Sequence, residues 1–434
     1  MKRLELKITH LGTWGLALIF IFCALCNTFI FGFTHKPSWD DASQYSAYAS
    51  NLASGNGYSL DGKSVSIFRE PGYPLFVSIL YKVFGHENLR AVFVIQAVLL
   101  GLIGLLIYFL FLKIEHPTTG FIAGITVSFF PIYGYYAAEL LTELLFTFLL
   151  LSIFYTIYVI VQEKNEDERY LLYCALGLLC GYTTLVRVQF LFFLPLLALT
   201  LLLCREYTWV IKRMLPALLV FVLIIGSWIS YSYIHTKSPS LTEGRQGVIL
   251  YTRVARAELS YTDQVRYLVS WLERSIPGSD WRNNYYLNNY DWSGTSQAYE
   301  KLATSPEQIE ILKKENIDTI IQNPGRYLFG NFIELVKLLY LEHLKSPILS
   351  GIFRAFLYTV VYLWFLFGII RLIQSKKHTE LGILQISLLL FISYNIITLT
   401  FLDTIPRYNT PYLVFFILIG FVGLVMTPRN KQST

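Results

Sequence analysis

Two adjacent carboxylates, Asp40 and Asp41, follow the first long apolar run of the chain, which ends at about Phe33. If a helix starts here, Asp41 and Tyr45 share one face, because residues four apart lie above one another on a helix. A carboxylate beside an aromatic ring suits acid–base chemistry on a sugar. The same pattern also fits a helix cap, with Ser38 as the capping residue and Asp41 three residues later. The sequence leaves both interpretations open.

A second acidic pair, Glu139 and Glu143, is spaced by one helical turn. Glu143 lies inside the apolar run from Leu140 to Phe146. A charge is costly in such surroundings, so an acidic residue there is by default a functional-site hypothesis. The alternative is a hydrogen-bonded carboxylate with a structural role.

Three arginines are candidate partners for these carboxylates or for an anionic ligand: Arg69, Arg187 and Arg407. The planar guanidinium matches the oxygens of a phosphate and can bind two of them at once. Alternatively, each arginine reaches toward the membrane interface or pairs with a carboxylate such as Asp403 or Glu143. Together they indicate an anionic ligand.

The composition is that of a polytopic membrane protein. Of 434 residues, 54% are hydrophobic and 15% are charged, and several apolar runs reach the roughly 20 residues needed to cross a bilayer. The net charge of +6 suggests a basic surface facing the lipid bilayer, and no basic block interleaved with aromatics predicts nucleic-acid binding. We see no metal-ligand cluster and no Gly-rich phosphate loop, so no cofactor is certain and direct use of ATP or a nucleotide sugar is disfavoured.

Apolar length and the distribution of Lys and Arg predict the topology. About ten spans are expected, at 11 to 34, 89 to 112, 119 to 137, 140 to 161, 170 to 187, 189 to 204, 214 to 235, 350 to 372, 380 to 401 and 408 to 427. The positive-inside rule then puts both termini in the cytoplasm of a plasma (inner) membrane protein. The apolar stretch from Tyr73 to Phe84 is too short to cross, so we predict an interfacial or re-entrant piece.

The spans divide the chain into three parts. Residues 1–235 hold the first seven spans and an outer loop at 34–88, residues 236–349 form a mainly helical outer-face segment, and residues 350–434 hold the last three spans. Ser305, with proline next and glutamine at the third position, predicts a helix over 306–321, and Pro324 begins another. Aromatic residues of the outer segment could either stack on sugars or form a local core. They are Trp271, Trp281, Trp292, Tyr285, Tyr286 and Tyr290.

Several motifs resemble those of the GT-C membrane glycosyltransferases of the family 39 type. This group includes the protein O-mannosyltransferases and the lipid A aminoarabinose and galacturonic acid transferases. The matching motifs are Asp41-Ala-Ser-Gln-Tyr45, Ala49-Ser-Asn-Leu52-Ala-Ser-Gly55-Asn-Gly57-Tyr58, Arg69-Glu70-Pro71-Gly72-Tyr73-Pro74-Leu75-Phe76, Thr142-Glu143, Leu185-Val186-Arg187, Asn323-Pro324-Gly325-Arg326-Tyr327 and Arg407-Tyr408-Asn409-Thr410-Pro411. The first-loop motifs are specific in combination, and the later ones are weak individually.

The resemblance implies a GT-C-like helical bundle that transfers a sugar from a polyprenyl-phosphate donor to a lipid, glycan or protein acceptor at the outer membrane face. It favours Asp41 over Asp40 as general base, and inversion if the displacement is direct. The residues assigned to the site are Asp41, Asp40 and Glu143 for catalysis, and Tyr45, Arg69, Glu70, Tyr73, Glu139, Arg187, Arg407 and Tyr408 for substrate binding. Paired carboxylates leave Mg²⁺ or Mn²⁺ open. The alternatives are a lipid-linked sugar transporter or flippase, and a surface-polysaccharide polymerase or ligase.

Overall fold

The chain is helical in a computed structural model that describes residues 11–32, 40–204, 207–242, 245–274, 284–340, 351–374, 390–392, 394 and 406–425. Within these ranges there is no strand, which confirms the predicted all-α class. Contacts divide the chain into two units. The first unit comprises 1–241, 360–392 and 410–434, and the second comprises 242–359 and 393–409.

The helices of the first part of the chain are α1 (Gly12–Phe31), α2 (Asp40–Ser54), α3 (Gly72–Phe84), α4 (Leu89–Lys113), α5 (Pro117–Ser128), α6 (Pro131–Ala137), α7 (Glu143–Gln162), α8 (Glu166–Val186), α9 (Phe193–Cys204) and α10 (Tyr207–Thr236). Those that follow are α11 (Arg245–Ala257), α12 (Tyr261–Arg274), α13 (Tyr285–Tyr290), α14 (Trp292–Leu302), α15 (Pro306–Gln322), α16 (Pro324–Tyr340), α17 (Gly351–Gln374) and α18 (Thr410–Val425).

Seven of the described helical segments are long and apolar enough to cross a membrane. They are Gly12–Phe31, Leu89–Lys113, Glu143–Gln162, Glu166–Val186, Arg213–Thr236, Phe353–Leu372 and Arg407–Val425. The membrane class is therefore confirmed, whereas the count of about ten is not. Most of the span predicted at 380 to 401 lies outside the described residues, as do the chain termini.

The prediction of one continuous span at 119 to 137 is wrong, because the structure has two short helices there. Helix α5 ends at Ser128 and α6 begins at Pro131, which lacks a backbone N–H and is favoured in the first turn of a helix. The predicted span at 189 to 204 likewise contains the short helix α9, preceded by a 3₁₀ turn at Val188–Phe190. Helix α3 has 13 residues, shorter than a membrane span.

A buried amide stabilises the break between α5 and α6. The Asn27 side chain, on α1, donates to the carbonyls of Ser128 and Phe130 over 3.1 and 2.9 Å. The Ser128 carbonyl lies at the end of α5, where intrahelical partners are missing, whereas the Phe130 carbonyl also accepts from the Tyr133 and Gly134 N–H groups at the start of α6. Asn27 is fully buried, so the helix end is satisfied without water.

The described part of the second unit has an aromatic core. Trp271 and Tyr267 of α12 pack with Leu287 and Ile333, and Tyr286 and Tyr290 lie against this cluster. Trp271 and these two tyrosines therefore belong to a local core, while Tyr285 is exposed. The side chains of Trp281 and Trp292 lie outside the described residues. The helix predicted from Ser305 is confirmed, because the Ser305 hydroxyl accepts from the Gln308 N–H over 3.3 Å at the start of α15.

A buried ion cluster joins α11 to α16 in the same unit. Glu334 lies 2.9 Å from Arg256 and 2.8 Å from Lys337, and Arg253 lies 3.9 Å away. Burial alone would raise the pKa of Glu334, but the positive charges of Arg256, Lys337 and Arg253 outweigh it and lower this pKa to about 2. Glu334 is therefore ionised at neutral pH, and the cluster holds the two helices together.

Candidate active site

Asp41 and Arg69 form an ion pair at the start of α2. An Nη of Arg69 donates to Asp41 Oδ1, and Arg69 Nε donates to Gln44 Oε1 over 2.6 Å. The guanidinium also lies 5.4 Å from the ring centre of Tyr45. Asp41, Gln44 and Tyr45 lie close together on α2 and all three contact the Arg69 guanidinium, as their helical spacing allows. Gln44 was missed by the sequence analysis.

The two residues of this pair differ in accessibility. The Asp41 side chain is 17% exposed, whereas that of Arg69 is 6% exposed. The carboxylate is therefore the member that a ligand can reach. The side chain of Asp40 and the proposed cap Ser38 lie outside the described residues.

Aromatic packing behind α2 fixes the backbone that carries Arg69. Tyr58 stacks on Tyr48 at 4.3 Å between ring centres and meets the edge of Trp228 at 5.0 Å. Its hydroxyl donates to the Arg69 carbonyl over 2.8 Å. Burial raises the pKa of the Tyr58 phenol well above its ordinary value, so the phenol stays protonated and acts as a donor.

Glu143 and Arg187 form a second ion pair, between the start of α7 and the residue that follows α8. Arg187 Nη2 donates to Glu143 Oε1 over 2.6 Å, and Arg187 Nε donates to Thr142 Oγ1 over 2.8 Å. The side chains of Glu143 and Arg187 are only 1% and 7% exposed. The costly buried carboxylate is thus compensated by a cation held in fixed geometry.

Gly72 links the segment of Arg69 to that of Arg187. A Cβ at Gly72 would lie 2.6 Å from the Val186 nitrogen and 2.7 Å from the Leu185 carbonyl carbon, closer than real Cβ atoms approach. Glycine permits this backbone contact. The Tyr182 hydroxyl also donates to the Gly72 carbonyl over 2.9 Å.

Gln96 is a buried polar residue of α4 that the sequence analysis missed. Its amide donates to the carbonyls of Ala137 and Glu139 over 3.1 and 2.8 Å, and its Oε1 accepts from the Tyr73 hydroxyl over 2.9 Å. These bonds join α3 to the irregular segment between α6 and α7 that precedes Glu143. A polar residue within the long apolar run 91–112 is the signal that could have identified it.

The remaining assigned residues are placed as follows. Glu70 and Glu139 are buried in the first unit. Arg407 and Tyr408 belong to the second unit, in the 3₁₀ turn Pro406–Asn409, where the Arg407 guanidinium lies 5.6 Å from the centre of the Tyr408 ring. The structure thus joins Tyr45 and Asp41 to Arg69, and Glu143 to Arg187, by direct contacts.

Among the described residues, no group of three or more His, Cys, Asp or Glu is arranged to hold a metal ion. Asp41 and Glu143 each face an arginine instead. In each pair the arginine supplies the positive charge that balances the carboxylate, so no step of the reaction is assigned to a divalent cation.

Comparison with known proteins bears on this site. Residues 69–231 match the family model described as dolichyl-phosphate-mannose-protein mannosyltransferase. The resemblance to GT-C glycosyltransferases is confirmed over these residues. The matched segment of this chain includes Arg69, Gln96, Glu143 and Arg187, whereas Asp41 lies before it.

A crystal structure of ArnT from Cupriavidus metallidurans bound to undecaprenyl phosphate is similar to this chain with a TM-score of 0.44 and 12% sequence identity. The alignment covers 94% of this chain and 78% of ArnT. Among curated protein sequences, none matches the chain significantly.

Proposed function

We propose that this protein is a membrane glycosyltransferase that moves a sugar from a polyprenyl-phosphate donor to a hydroxyl of a lipid, glycan or protein acceptor. The observation that carries the proposal is that the mannosyltransferase family match spans Arg69, Glu143 and Arg187, all three of which are buried and lie in carboxylate–arginine pairs. The family description supplies the polyprenyl-phosphate class of donor.

In the proposed reaction, the acceptor hydroxyl oxygen attacks the anomeric carbon of the sugar. A new glycosidic C–O bond forms as the bond between that carbon and the donor phosphate oxygen breaks, and the electron pair leaves with the polyprenyl phosphate. Asp41 takes the hydroxyl proton, because it is the most accessible carboxylate of the two pairs. A positioned general base typically contributes about 10²- to 10⁴-fold to the rate. A single direct displacement inverts the anomeric centre.

The arginines are assigned to charge stabilisation. Arg69 orients Asp41, because its guanidinium donates a hydrogen bond to Asp41 Oδ1. Arg187, held by Glu143 and Thr142, is a candidate to meet the negative charge that develops on the departing phosphate. Glu143 is almost inaccessible, so we assign it to holding Arg187 rather than to proton transfer.

The reaction side follows from charge asymmetry. Lys and Arg collect in the segments predicted to be cytoplasmic, which supports a position of the Asp41 loop at the outer face. Cysteine labelling at position 60 with an impermeant reagent tests this; protection in intact cells, with labelling after solubilisation, would contradict the orientation.

The test of function uses purified full-length protein with a panel of polyprenyl-phosphate-linked hexoses and pentoses and a membrane lipid extract as acceptor. Release of free polyprenyl phosphate is measured, because this product forms whatever the sugar or acceptor. We expect release by the wild type and at least about 100-fold slower release by Asp41→Asn. Donor binding should stay unchanged in this variant, and its unfolding temperature is measured to separate a loss of stability from a loss of catalysis.

The matched control is Asp167→Asn, which removes one exposed carboxylate from the first turn of α8, at the other end of that helix from Arg187. It should release polyprenyl phosphate at the wild-type rate. Near-normal release by Asp41→Asn would refute the base assignment, and donor flipping across a vesicle without any release would favour the transporter alternative. The same assay with EDTA should retain activity, because guanidinium groups supply the positive charge; loss that Mg²⁺ or Mn²⁺ restores would contradict this.

A further inference from the structure

A cavity of about 110 Å³ lies at the end of α7 and α8 away from the Glu143–Arg187 pair. It is lined by side chains from α7, α8, α9 and α10. Helix α7 has 20 residues and is about 30 Å long, so the cavity is separate from the candidate active site. The volume far exceeds the roughly 15 Å³ that one water needs on the same kind of measure.

The lining of the cavity is mostly apolar and includes two arginines. Ile160, Leu176 and Leu201 are among the apolar side chains, and Arg169, Arg213 and Tyr173 complete the lining together with other residues of these helices. The wall residues Ile160 and Leu176 belong to candidate membrane spans.

The two guanidinium groups share one carboxylate. Glu166 Oε1 accepts from Arg169 Nη1 over 2.8 Å and from Arg213 Nη2 over 2.9 Å. Arg169 also donates to the Glu163 carbonyl. Glu166 is thus shared by both arginines, and the Glu163 carboxylate also interacts electrostatically with Arg169. In the described part of the chain, the buried Arg169 Nε has no hydrogen-bond partner. A buried donor of this kind is normally satisfied by a protein group, a water or a ligand.

We propose that this cavity is a binding site for the phosphodiester headgroup of an anionic phospholipid, separate from the site of sugar transfer. The phosphate accepts from Arg169 Nε and from Arg213, and the acyl chains follow the apolar wall into the bilayer. A phosphate matches the guanidinium donors. A water-soluble anion would gain nothing from Ile160, Leu176 and Leu201, so the walls select a lipid. By the positive-inside rule, this lipid belongs to the cytoplasmic leaflet.

The experiment uses full-length protein in nanodiscs that contain equal amounts of phosphatidylglycerol and phosphatidylcholine. Native mass spectrometry measures the ratio of the two lipids that stay bound to the protein after it is released from the nanodiscs. The wild type should retain phosphatidylglycerol preferentially. Arg169→Gln with Arg213→Gln should lower this ratio at least about tenfold, as expected from the loss of charge-assisted hydrogen bonds.

The matched control is Arg90→Gln, which removes one exposed arginine from the first turn of α4. It should leave the ratio unchanged. Ile160→Trp fills the cavity from its apolar wall with both arginines intact, and it should lower the ratio even if the double variant folds poorly. Unchanged unfolding temperature in pure phosphatidylcholine confirms the fold of each variant.

Two outcomes would overturn the proposal. The first is a wild-type lipid ratio in Ile160→Trp and in the folded double variant. The second is complete displacement of phosphatidylglycerol by millimolar inorganic phosphate, which would identify a soluble anion as the occupant. Persistence of the retained lipid in phosphate supports the lipid as the source.

Discussion

The Tyr73 hydroxyl donates a hydrogen bond to Gln96 Oε1 over 2.9 Å, and the Gln96 amide donates in turn to the Glu139 carbonyl over 2.8 Å. One buried amide thus connects α3, which follows the Arg69 motif, to the segment that leads into Glu143. These hydrogen bonds are buried and require a defined geometry, so they fix the positions of the chain segments that carry both ion pairs.

Replacing Gln96 should therefore impair both stability and sugar transfer. Gln96→Leu leaves the carbonyls of Ala137 and Glu139 without their donor and should cost about 1–3 kcal/mol of stability. Polyprenyl phosphate release should fall by more than this instability explains. Thermal unfolding in detergent and the release assay give the two values. Tyr73→Phe, which keeps the amide and its carbonyls, should be less destabilising; an equal or larger loss would contradict the role given to the amide.

Gly72 should not tolerate even a methyl group. Gly72→Ala puts a Cβ against the backbone of Val186 and Leu185, which cannot move aside as a flexible side chain can. We expect about 1–3 kcal/mol of destabilisation, in the range of overpacked sites, and loss of transfer activity. Gly226→Ala in α10 is the matched control, since nothing lies within 4 Å of its Cβ and alanine favours a helix by about 0.5–1 kcal/mol. Similar unfolding temperatures for the two variants would refute the close approach.

The Glu143–Arg187 pair should separate stability from activity. Glu143→Leu and Arg187→Met each leave one buried charge without its partner and should cost about 3–5 kcal/mol. The double variant removes both charges and should recover most of this stability, because apolar replacements of a buried pair are often neutral. Unfolding measurements on all four proteins form a double-mutant cycle. The double variant should still lack sugar transfer, because it has no Arg187. Full activity there would exclude Arg187 from the reaction.

The buried Glu334 predicts that the stability of the second unit depends on pH. Its pKa of about 2 lies below its ordinary value of 4.5, so its contribution is fully present above about pH 4.5 and is lost as the pH falls toward 2. The shift corresponds to about 3 kcal/mol. Hydrogen exchange of the peptides that cover α11 and α16 measures the effect at pH 5 and below.

Two variants test the assignment of that pH dependence. Glu334→Gln should exchange faster at neutral pH and lose the dependence, because its side chain does not titrate. The exposed Glu310→Gln should keep the wild-type profile, since Glu310 has only a 3.9 Å surface pair with Lys313. A profile in Glu334→Gln like that of the wild type would assign the titration to another group.

The membrane class and many individual helices could be predicted from local sequence. Ser305 with Gln308 predicts the start of α15, and the apolar runs from Leu89 and Leu140 predict the helices that became α4 and α7. Local signals such as caps and apolar length act within a few turns, so they can be recognised without tertiary information. Pro131 is a local signal for the division between α5 and α6, but the apolar residues on both sides of it suggest one continuous span.

The pairing of charges could not be predicted in this way. Arg187 was compatible with the membrane interface, with phosphate, or with a carboxylate, and only the fold brings it within 2.6 Å of Glu143. Gln96 looked like one polar residue in an apolar helix until its bonds to Ala137 and Glu139 were located. Trp271 likewise could have met a sugar, but it packs in the core with Tyr267.

By itself, the sequence determined that this chain is a helical membrane protein with acidic and basic residues beside its apolar runs, because a bilayer demands long apolar helices and makes each interior charge conspicuous. Only the tertiary structure decided that Asp41 faces Arg69 and is accessible, while Glu143 is buried against Arg187. The physical reason is that ion pairing and exposure depend on contacts between residues 28 and 44 positions apart, which no local pattern encodes.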